Sequence, residues 1–337
     1  MNTSISFIVP IYHMDNKLLE QCIHSLISQL TEGIRIEIIL IDDGSTEDNA
    51  KLCDQYGMRY NFIKVMHSPN NGVSVARNIG IDNSSGDYVC FVDPDDRMIE
   101  GYIQKAYRYC LTNDADIIIF SFISSVELSS GFVNNNSLKL KKISNDELHS
   151  ISSEVISISG DKFNFGACWG KLIRRSFIID NNLEFVPGLK KAQDRVFMFD
   201  LYQKKPRAFT YDDVGYIYTI ENNESSICHK YNPNIIQILE ETQKEFEKRN
   251  INDEFYDALN SMNMMFLFEY MQLLFTHPDN PDSKEVKINK LKTLVKREPY
   301  KTSLKKVKLT SVRKKCALMI ILLRLGMYSK AISLHYD

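Results

Sequence analysis

The sequence predicts an α/β protein: a mostly parallel sheet flanked by helices, followed by a helical region. Three observations carry this expectation. Short apolar segments alternate with helical periods of about a dozen residues from Ile5 to about Ala115, the pattern of βαβ units. The strand segments are nearly continuous apolar runs, as befits strands buried on both faces. After Pro233 the strands stop and long helical periods take over. The expected division is therefore 1–232 for the α/β domain and 233–337 for a helical, basic region.

In order, ISFIVPIY reads as a buried strand, and LLEQCIHSLISQL places Leu19, Cys22, Ile23, Leu26 and Ile27 on one helical face. EIILIDDGS is a second strand ending in a turn. TEDNAKLCDQYG is a helix with Ser45 or Thr46 as its cap, and FIKVMHS is a third strand. GVSVARNIGIDNS gives a short helix, and DYVCFVDPDD a fourth strand that breaks into an acidic loop. DIIIFSFI is a further strand, and the polar stretch from Ser129 to Ser150 reads as a loop or edge hairpin. FGACWGKLIRRSFI precedes a helix around Asp194 to Gln203. Beyond it, ILEETQKEFEKRN and EFYDALNSMNMMFLFEYMQLLF are long helices, the Met-rich stripe from Met262 to Met271 being bundle core.

The chain has 337 residues, 44% hydrophobic, 25% charged and 11% aromatic, a globular composition that excludes a disordered or collagenous chain. Its seven cysteines are scattered, odd in number and without a CxxC pair, so neither a disulfide framework nor a zinc site is indicated and a reducing, cytoplasmic setting is expected. No stretch approaches the roughly 18 apolar residues of a spanning helix. No nucleic-acid partner is expected. The net charge of -2 hides a separation. From Ser283 to Asp337 there are 15 Lys and Arg against 3 acidic residues, leaving the remainder strongly acidic. Basic residues from Lys301 to Lys315 adjoin the apolar turn CALMIILL. This is the composition of a helix lying on an anionic membrane surface, or of one that packs on its neighbours with the lysines solvated.

The chemistry-bearing residues are acidic. Asp42 and Asp43 end the second strand, Asp93, Asp95 and Asp96 end the fourth, and Asp194 opens a later helix. Either of the first two clusters alone is also an ordinary turn sequence. Together, at the carboxyl ends of two strands of one open sheet, they should face a common crevice. Carboxylates gathered there repel unless a cation lies between them, and hard oxygens in small number suit Mg²⁺ or Mn²⁺ bridging a diphosphate. A nucleotidyltransferase or a dehydrogenase would need a Gly-rich loop after the first strand, where the sequence has PIYHMDNKL, and GACWGKL departs from the Walker spacing.

The succession ISFIVPIY, SLISQ, IEIILIDDGSTEDNA, NNGVSVARNIGI and GDYVCFVDPDD resembles the N-terminal half of glycosyltransferase family 2, the inverting transferases of the GT-A fold. The similarity resumes at CWGKLIRRSFI and KKAQDRVFMFDL. The resemblance implies a nucleotide-sugar donor, UDP-linked by family expectation, and a saccharide or lipid-linked saccharide acceptor in cell-surface polysaccharide synthesis. Pro10 and Tyr12 would lie along the uracil, Asp43 would bond its edge with Asp42 beside it, and Arg77 would line the donor pocket. Asp93, Asp95 and Asp96 stand for the DxD element, which binds ribose and sugar and holds the cation through Asp95 and Asp96. Asp194 matches the base that takes the acceptor proton. His229 is a further candidate metal ligand or a solvent-facing loop histidine. Trp169 either stacks on an acceptor sugar or anchors the core. Lys171, Arg174 and Arg175 would meet an anionic acceptor or form a solvated helix face. Gln193 stands where the family often has Glu, and His13 where it often has Asn. A noncatalytic nucleotide-binding subunit is the alternative; the presence of Asp194 argues against it.

Overall fold

The computed structural model describes residues 3–131, 139–157, 163–220, 230–249 and 255–334. The chain divides into two compact units, residues 1–151 with 160–220 and residues 152–159 with 221–337.

Among the described residues the first unit is built on a nine-stranded mixed sheet. Its strands are β1 (Thr3–Ile11), β2 (Ile34–Asp42), β3 (Ile63–His67), β4 (Tyr88–Phe91), β5 (Arg97–Met98), β6 (Ile117–Ser124), β7 (Leu140–Lys142), β8 (Lys171–Arg174) and β9 (Ala208–Tyr218). They run in the order β3-β2-β1-β4-β8-β6-β9-β5, with β7 on β9. The parallel pairing expected from the βαβ pattern holds for β1 with β2, β2 with β3 and β1 with β4. Beyond β4 the sheet turns mixed: β8 lies antiparallel between β4 and β6, and β6 pairs with β9 in parallel. The chain steps outward from β1 to β3 and returns to β4 on the other side of β1. This reversal opens a crevice at the carboxyl ends of β1 and β4, where ligands of open α/β sheets bind.

Helix α1 (Asn16–Ile27) starts at Asp15, whose carboxylate accepts from the N–H groups of Lys17 and Leu18, and it buries Leu19, Cys22, Ile23 and Leu26. Helix α2 (Glu47–Arg59) is capped by Thr46, one of the two residues expected. Helix α3 (Val73–Asn83) approaches β1 closely. A Cβ on Gly80 would fall 2.3 Å from Ile8 Cγ2, so only glycine lets the helix sit at that depth. The stretch from Ser129 to Ser150, expected as a loop or edge hairpin, does supply an edge strand but departs from expectation in the helix that follows it. Its described residues form β7 on the sheet edge and the start of a helix, Asn145–Ser157, because Glu147 folds back onto the Ser144 N–H in an N-terminal cap.

The second unit is helical, with segments Ile235–Glu247, Tyr256–Tyr270, Lys284–Leu294, Tyr300–Lys306 and Lys314–Arg324 among its described residues. Helix Tyr256–Tyr270 is its axis, buried on nearly every face, with Met262, Met264 and Phe266 fully or almost fully covered. Tyr270 and Tyr300 share a 2.7 Å hydroxyl–hydroxyl hydrogen bond inside it. Arg324 donates to the carbonyls of Leu304 and Val307, closing the end of helix Tyr300–Lys306.

Candidate active site

The site is assembled at the crevice from four pieces of backbone. At the end of β2, Asp42 and Asp43 are both buried. Asp43 accepts from Ser68 Oγ and from the backbone N–H groups of Asn71 and Gly72, at 3.1, 2.9 and 2.8 Å. It thereby organises the turn into α3, whose own cap residue, Gly72, has no side chain to do so. Asp42 accepts from the Ser45 N–H and from His67 Nδ1, and His67 Nε2 reaches Asp54. Burial pushes the Asp42 carboxyl up, but the bonds from His67 and Ser45 outweigh it and hold it below its ordinary range. The bonds to Asp42 and Asp54 raise His67 in turn. Pro10 is buried in β1 opposite Ile41, and Tyr12 emerges just past the strand, about half exposed, edge-on to His13.

The second piece is α3, which carries Arg77. Its Nη2 donates to Asp93 Oδ1 at 2.9 Å, and its guanidinium lies over the Phe185 ring, 5.2 Å from the centroid. Only 5% of Arg77 is exposed, and its Nε and Nη1 have no hydrogen-bond partner among the described residues. Burial opposes its charge; Cys168, Asp93 and Asp194 nearby more than offset this and hold its proton more tightly than usual. Arg77 is thus the point at which the end of β4 and the later helix meet electrostatically.

The third piece is the turn after β4. Asp93 is partly open, Asp95 half-buried, and Asp96 fully buried. Asp96, expected among the metal ligands, spends its oxygens inside the protein: Oδ2 accepts from Tyr216 OH and Oδ1 from the Thr219 N–H, both at 2.7 Å. The same Tyr216 hydroxyl accepts from the Asp93 N–H. Burial, with the neighbouring Asp93 and Asp95 carboxylates, pushes Asp96 up to about 8. Among the described residues no three His, Cys, Asp or Glu side chains converge on one point to enclose a metal. The donor set at this turn, Asp93 and Asp95, nevertheless fits Mg²⁺ or Mn²⁺, which are commonly held by one or two carboxylates and completed by substrate phosphate oxygens. His229 lies outside the described residues.

The fourth piece is helix Gln193–Gln203, entered through Ala192 in the left-handed region, with Asp194 in its first turn. The helix is pinned by aromatics. Phe197 stacks on Phe185 at 4.1 Å, and Phe91 at the end of β4 meets both rings edge-on. Pairs of this kind contribute about 0.5–1.5 kcal/mol each beyond area burial. Asn78, on α3, donates to and accepts from the Phe185 backbone at 2.8 Å. Arg77, Asp93 and Asp194 are therefore set by one packed cluster although they are far apart in sequence.

Trp169 is 7% exposed. It stacks on Tyr216 at 4.7 Å and on Tyr218 at 5.7 Å, with Phe122 against its edge, so it serves the core, and the ring of this stack that reaches solvent is Tyr218. The expected solvated helix face is corrected. Lys171 lies in β8 and is fully buried, Arg174 pairs with Asp114 and Asp116, and Arg175 donates to Ser84 Oγ. The sequence reading missed Tyr216, His67, Phe185 and the burial of Lys171. Only Asn78, inside the ARN segment, sat in a motif that could have marked it.

The profile of the family described as "Glycosyl transferase family 2" matches residues 6–178, a span that contains the first three pieces of this site. Glycosyltransferase GlyG of Streptococcus pneumoniae is 36% identical over 133 residues, 39% of this chain and 43% of that protein. An uncharacterized glycosyltransferase, EpsJ of Bacillus subtilis, is 28% identical over 73% of this chain and 68% of its own length. The poly(ribitol-phosphate) beta-glucosyltransferase of Bacillus spizizenii is 25% identical over 68% of this chain and 34% of that protein. The chain thus spans less than half the length of GlyG and about a third of the glucosyltransferase. In fold it is similar to a fragment of S. aureus TarS, with a TM-score of 0.62 at 17% identity over 99% of this chain and 90% of that one. The same TarS fragment has been solved with UDP and with UDP-GlcNAc. The fold is that of the GT-A transferases, and the chain belongs to glycosyl transferase family 2.

Proposed function

We propose that this chain is an inverting transferase that moves a sugar from a UDP-sugar to a saccharide or lipid-linked saccharide acceptor in cell-surface polysaccharide synthesis, with a divalent cation, Mn²⁺ or Mg²⁺. The observation that carries the reading is the buried Arg77, bonded to Asp93 and close enough to Asp194 to feel its charge, with two guanidinium nitrogens unspent. Pro10, Tyr12, Asp42 and Asp43 form the nucleotide side. Asp93 and Asp95 would hold the cation, with Asp96 bracing their turn, and a cation there would neutralise charge on the diphosphate. Asp194 takes the proton of the acceptor hydroxyl as its oxygen bonds to the anomeric carbon, and the bond from that carbon to the diphosphate breaks with the electron pair leaving on UDP. General-base assistance of this kind is worth about 10²–10⁴-fold. TarS, solved with UDP and UDP-GlcNAc, makes uridine the base to test first. A thermal-shift panel of nucleotide sugars with Mn²⁺ is the test: a bound donor raises the melting temperature by mass action. Stabilisation by UDP-sugars is expected; stabilisation by other nucleotide sugars alone would overturn the uridine assignment.

The proposed place of action is the inner face of an anionic membrane. Among the described residues no helix is long and apolar enough to cross one. Helix Lys314–Arg324 buries Cys316, Met319, Ile320 and Leu323 in its own unit while Leu318, Ile321 and Leu325 stand exposed along its other side. Residues 299–336 carry nine Lys and Arg and no Asp or Glu, the charge complement of anionic lipid. Both expected roles of this segment therefore have structural support, on opposite faces of one helix. Sedimentation with anionic vesicles should be salt-sensitive and lost in Lys314→Glu/Lys315→Glu and in Leu318→Ser/Ile321→Ser. Equal sedimentation with neutral vesicles would rule the docking out.

A further inference from the structure

A buried lysine that the proposed chemistry does not use stands beside the site. Lys171 occupies the middle of the sheet, in β8, opposite Ile119 of β6, and none of it reaches solvent. A buried amine requires partners, since an unsatisfied polar group costs about 1–3 kcal/mol and a charged one more. Lys171 Nζ donates to the carbonyls of Asn164 at 3.1 Å and Trp169 at 3.2 Å. These two carbonyls are the two ends of one loop. Asn164 has a positive φ of 37°, a conformation an L side chain enters at some cost.

What the loop touches gives the clamp its meaning. Gly166 packs so tightly against Arg195 that an added Cβ would lie 3.2 Å from its Cγ, and Arg195 is the residue after Asp194. Trp169, at the other end, bridges to Phe91 in the parallel sense and stacks on Tyr216, whose hydroxyl binds both Asp96 and the Asp93 N–H. One flank of the loop therefore rests on the helix of the candidate base and the other on the support of the acidic turn. We infer that Lys171 is a positioning residue: by tying Asn164 to Trp169 it fixes the loop that sets Asp194 and the Trp169–Tyr216–Tyr218 shelf for the acceptor. The inference rests on the transferase reading for its kinetic consequence and on geometry alone for the clamp. Burial pushes the Lys171 ammonium down to about 7, with Cys168 and Asp194 acting in the opposite sense. Neutral or charged, the nitrogen retains the two N–H donors the clamp needs.

The single tryptophan of the chain is Trp169, so its fluorescence reports the loop directly. In Lys171→Met, which keeps the volume and removes the donors, Trp169 emission should shift to the red and acrylamide quenching should rise at least about twofold. UDP affinity should stay within about twofold of wild type, showing a folded nucleotide side. In transfer assays the acceptor KM should rise and kcat fall, together at least about tenfold in kcat/KM, while Lys171→Gln, which keeps an N–H donor, recovers part of both signals. Unchanged emission and quenching in a Met variant that binds UDP would overturn the clamp, whatever the activity. If the Met variant does not fold, the Gln variant, with a shorter side chain, should show a smaller red shift in the same direction, and emission identical to wild type in a folded Gln variant that binds UDP would overturn the clamp. A changed Trp169 signal without any transfer by the wild type would leave the clamp standing and sink the transferase reading.

Discussion

Strands β1 to β4 and strands β6 to β9 hold their functional groups in different ways. In the first set the acidic residues sit just past the strand ends, and their partners are local turns and caps: Asp43 on Asn71 and Gly72, Asp42 on Ser45. In the second set the polar groups are drawn into the sheet layer: Tyr216 and Thr219 reach back over a hundred residues to Asp96, and Lys171 turns inward to tie the two ends of its own loop. The proposed nucleotide side is thus a feature of the strand ends of a regular parallel sheet, whereas the proposed acceptor side arises where the antiparallel β8 breaks that regularity.

The largest effect should fall where the two sets meet. Asp95→Ala should lower transfer on the order of 10³-fold, the scale of losing electrostatic stabilisation of a leaving group, and excess EDTA should do the same to the wild type. Full activity in EDTA, measured by label transfer from UDP-sugar, would take the metal out of the account. Next, Asp194→Asn should cost at least about 10²-fold in kcat because an amide keeps the shape but takes no proton. A retained rate would assign the base elsewhere.

Smaller effects probe the regular set by itself. Gly80→Ala drives a methyl into Ile8 and should destabilise by about 1–3 kcal/mol, the usual cost of overpacking, read from denaturant midpoints. The His67 clamp should show as a pH dependence. His67 is raised in the fold above its ordinary 6.5, so its contribution is complete below that value and is lost as pH rises through the raised one. Asp42 is lowered from 3.8, so its contribution is present above 3.8 and is lost as pH falls through the lowered value. The clamp is strongest between the two. His67→Gln should flatten the melting temperature above pH 6.5, and an unchanged profile would remove the clamp's role.

The same contrast explains what was legible. The first four strands, the α2 cap at Thr46 and both acidic clusters could be read because period, turn chemistry and strand-end position all pointed one way. In the mixed half the strand DIIIFSFI and the helix from about Asp194 were legible as elements, but the pairing was not. KLIRR has the charge spacing of a solvated helix, and nothing local says that β8 inserts between β4 and β6 and takes Lys171 with it. Asp96 read as an equal of Asp95 because the sequence cannot show that Tyr216 and Thr219, over a hundred residues on, occupy its oxygens. Trp169 was readable as a core ring or as an acceptor platform, and its stacking on Tyr216 leaves the exposed place to Tyr218.

If the proposed chemistry is right, one packed cluster around Arg77 presents two groups with different tasks: Asp93 to the nucleotide and Asp194 to the acceptor. Calorimetric titration of UDP into wild type, Asp93→Ala and Asp194→Asn in excess Mn²⁺ separates the two tasks. Asp93→Ala should lose at least about tenfold in affinity, about 1.4 kcal/mol, and Asp194→Asn should stay within about twofold of wild type. Equal losses in both variants would contradict this division of tasks.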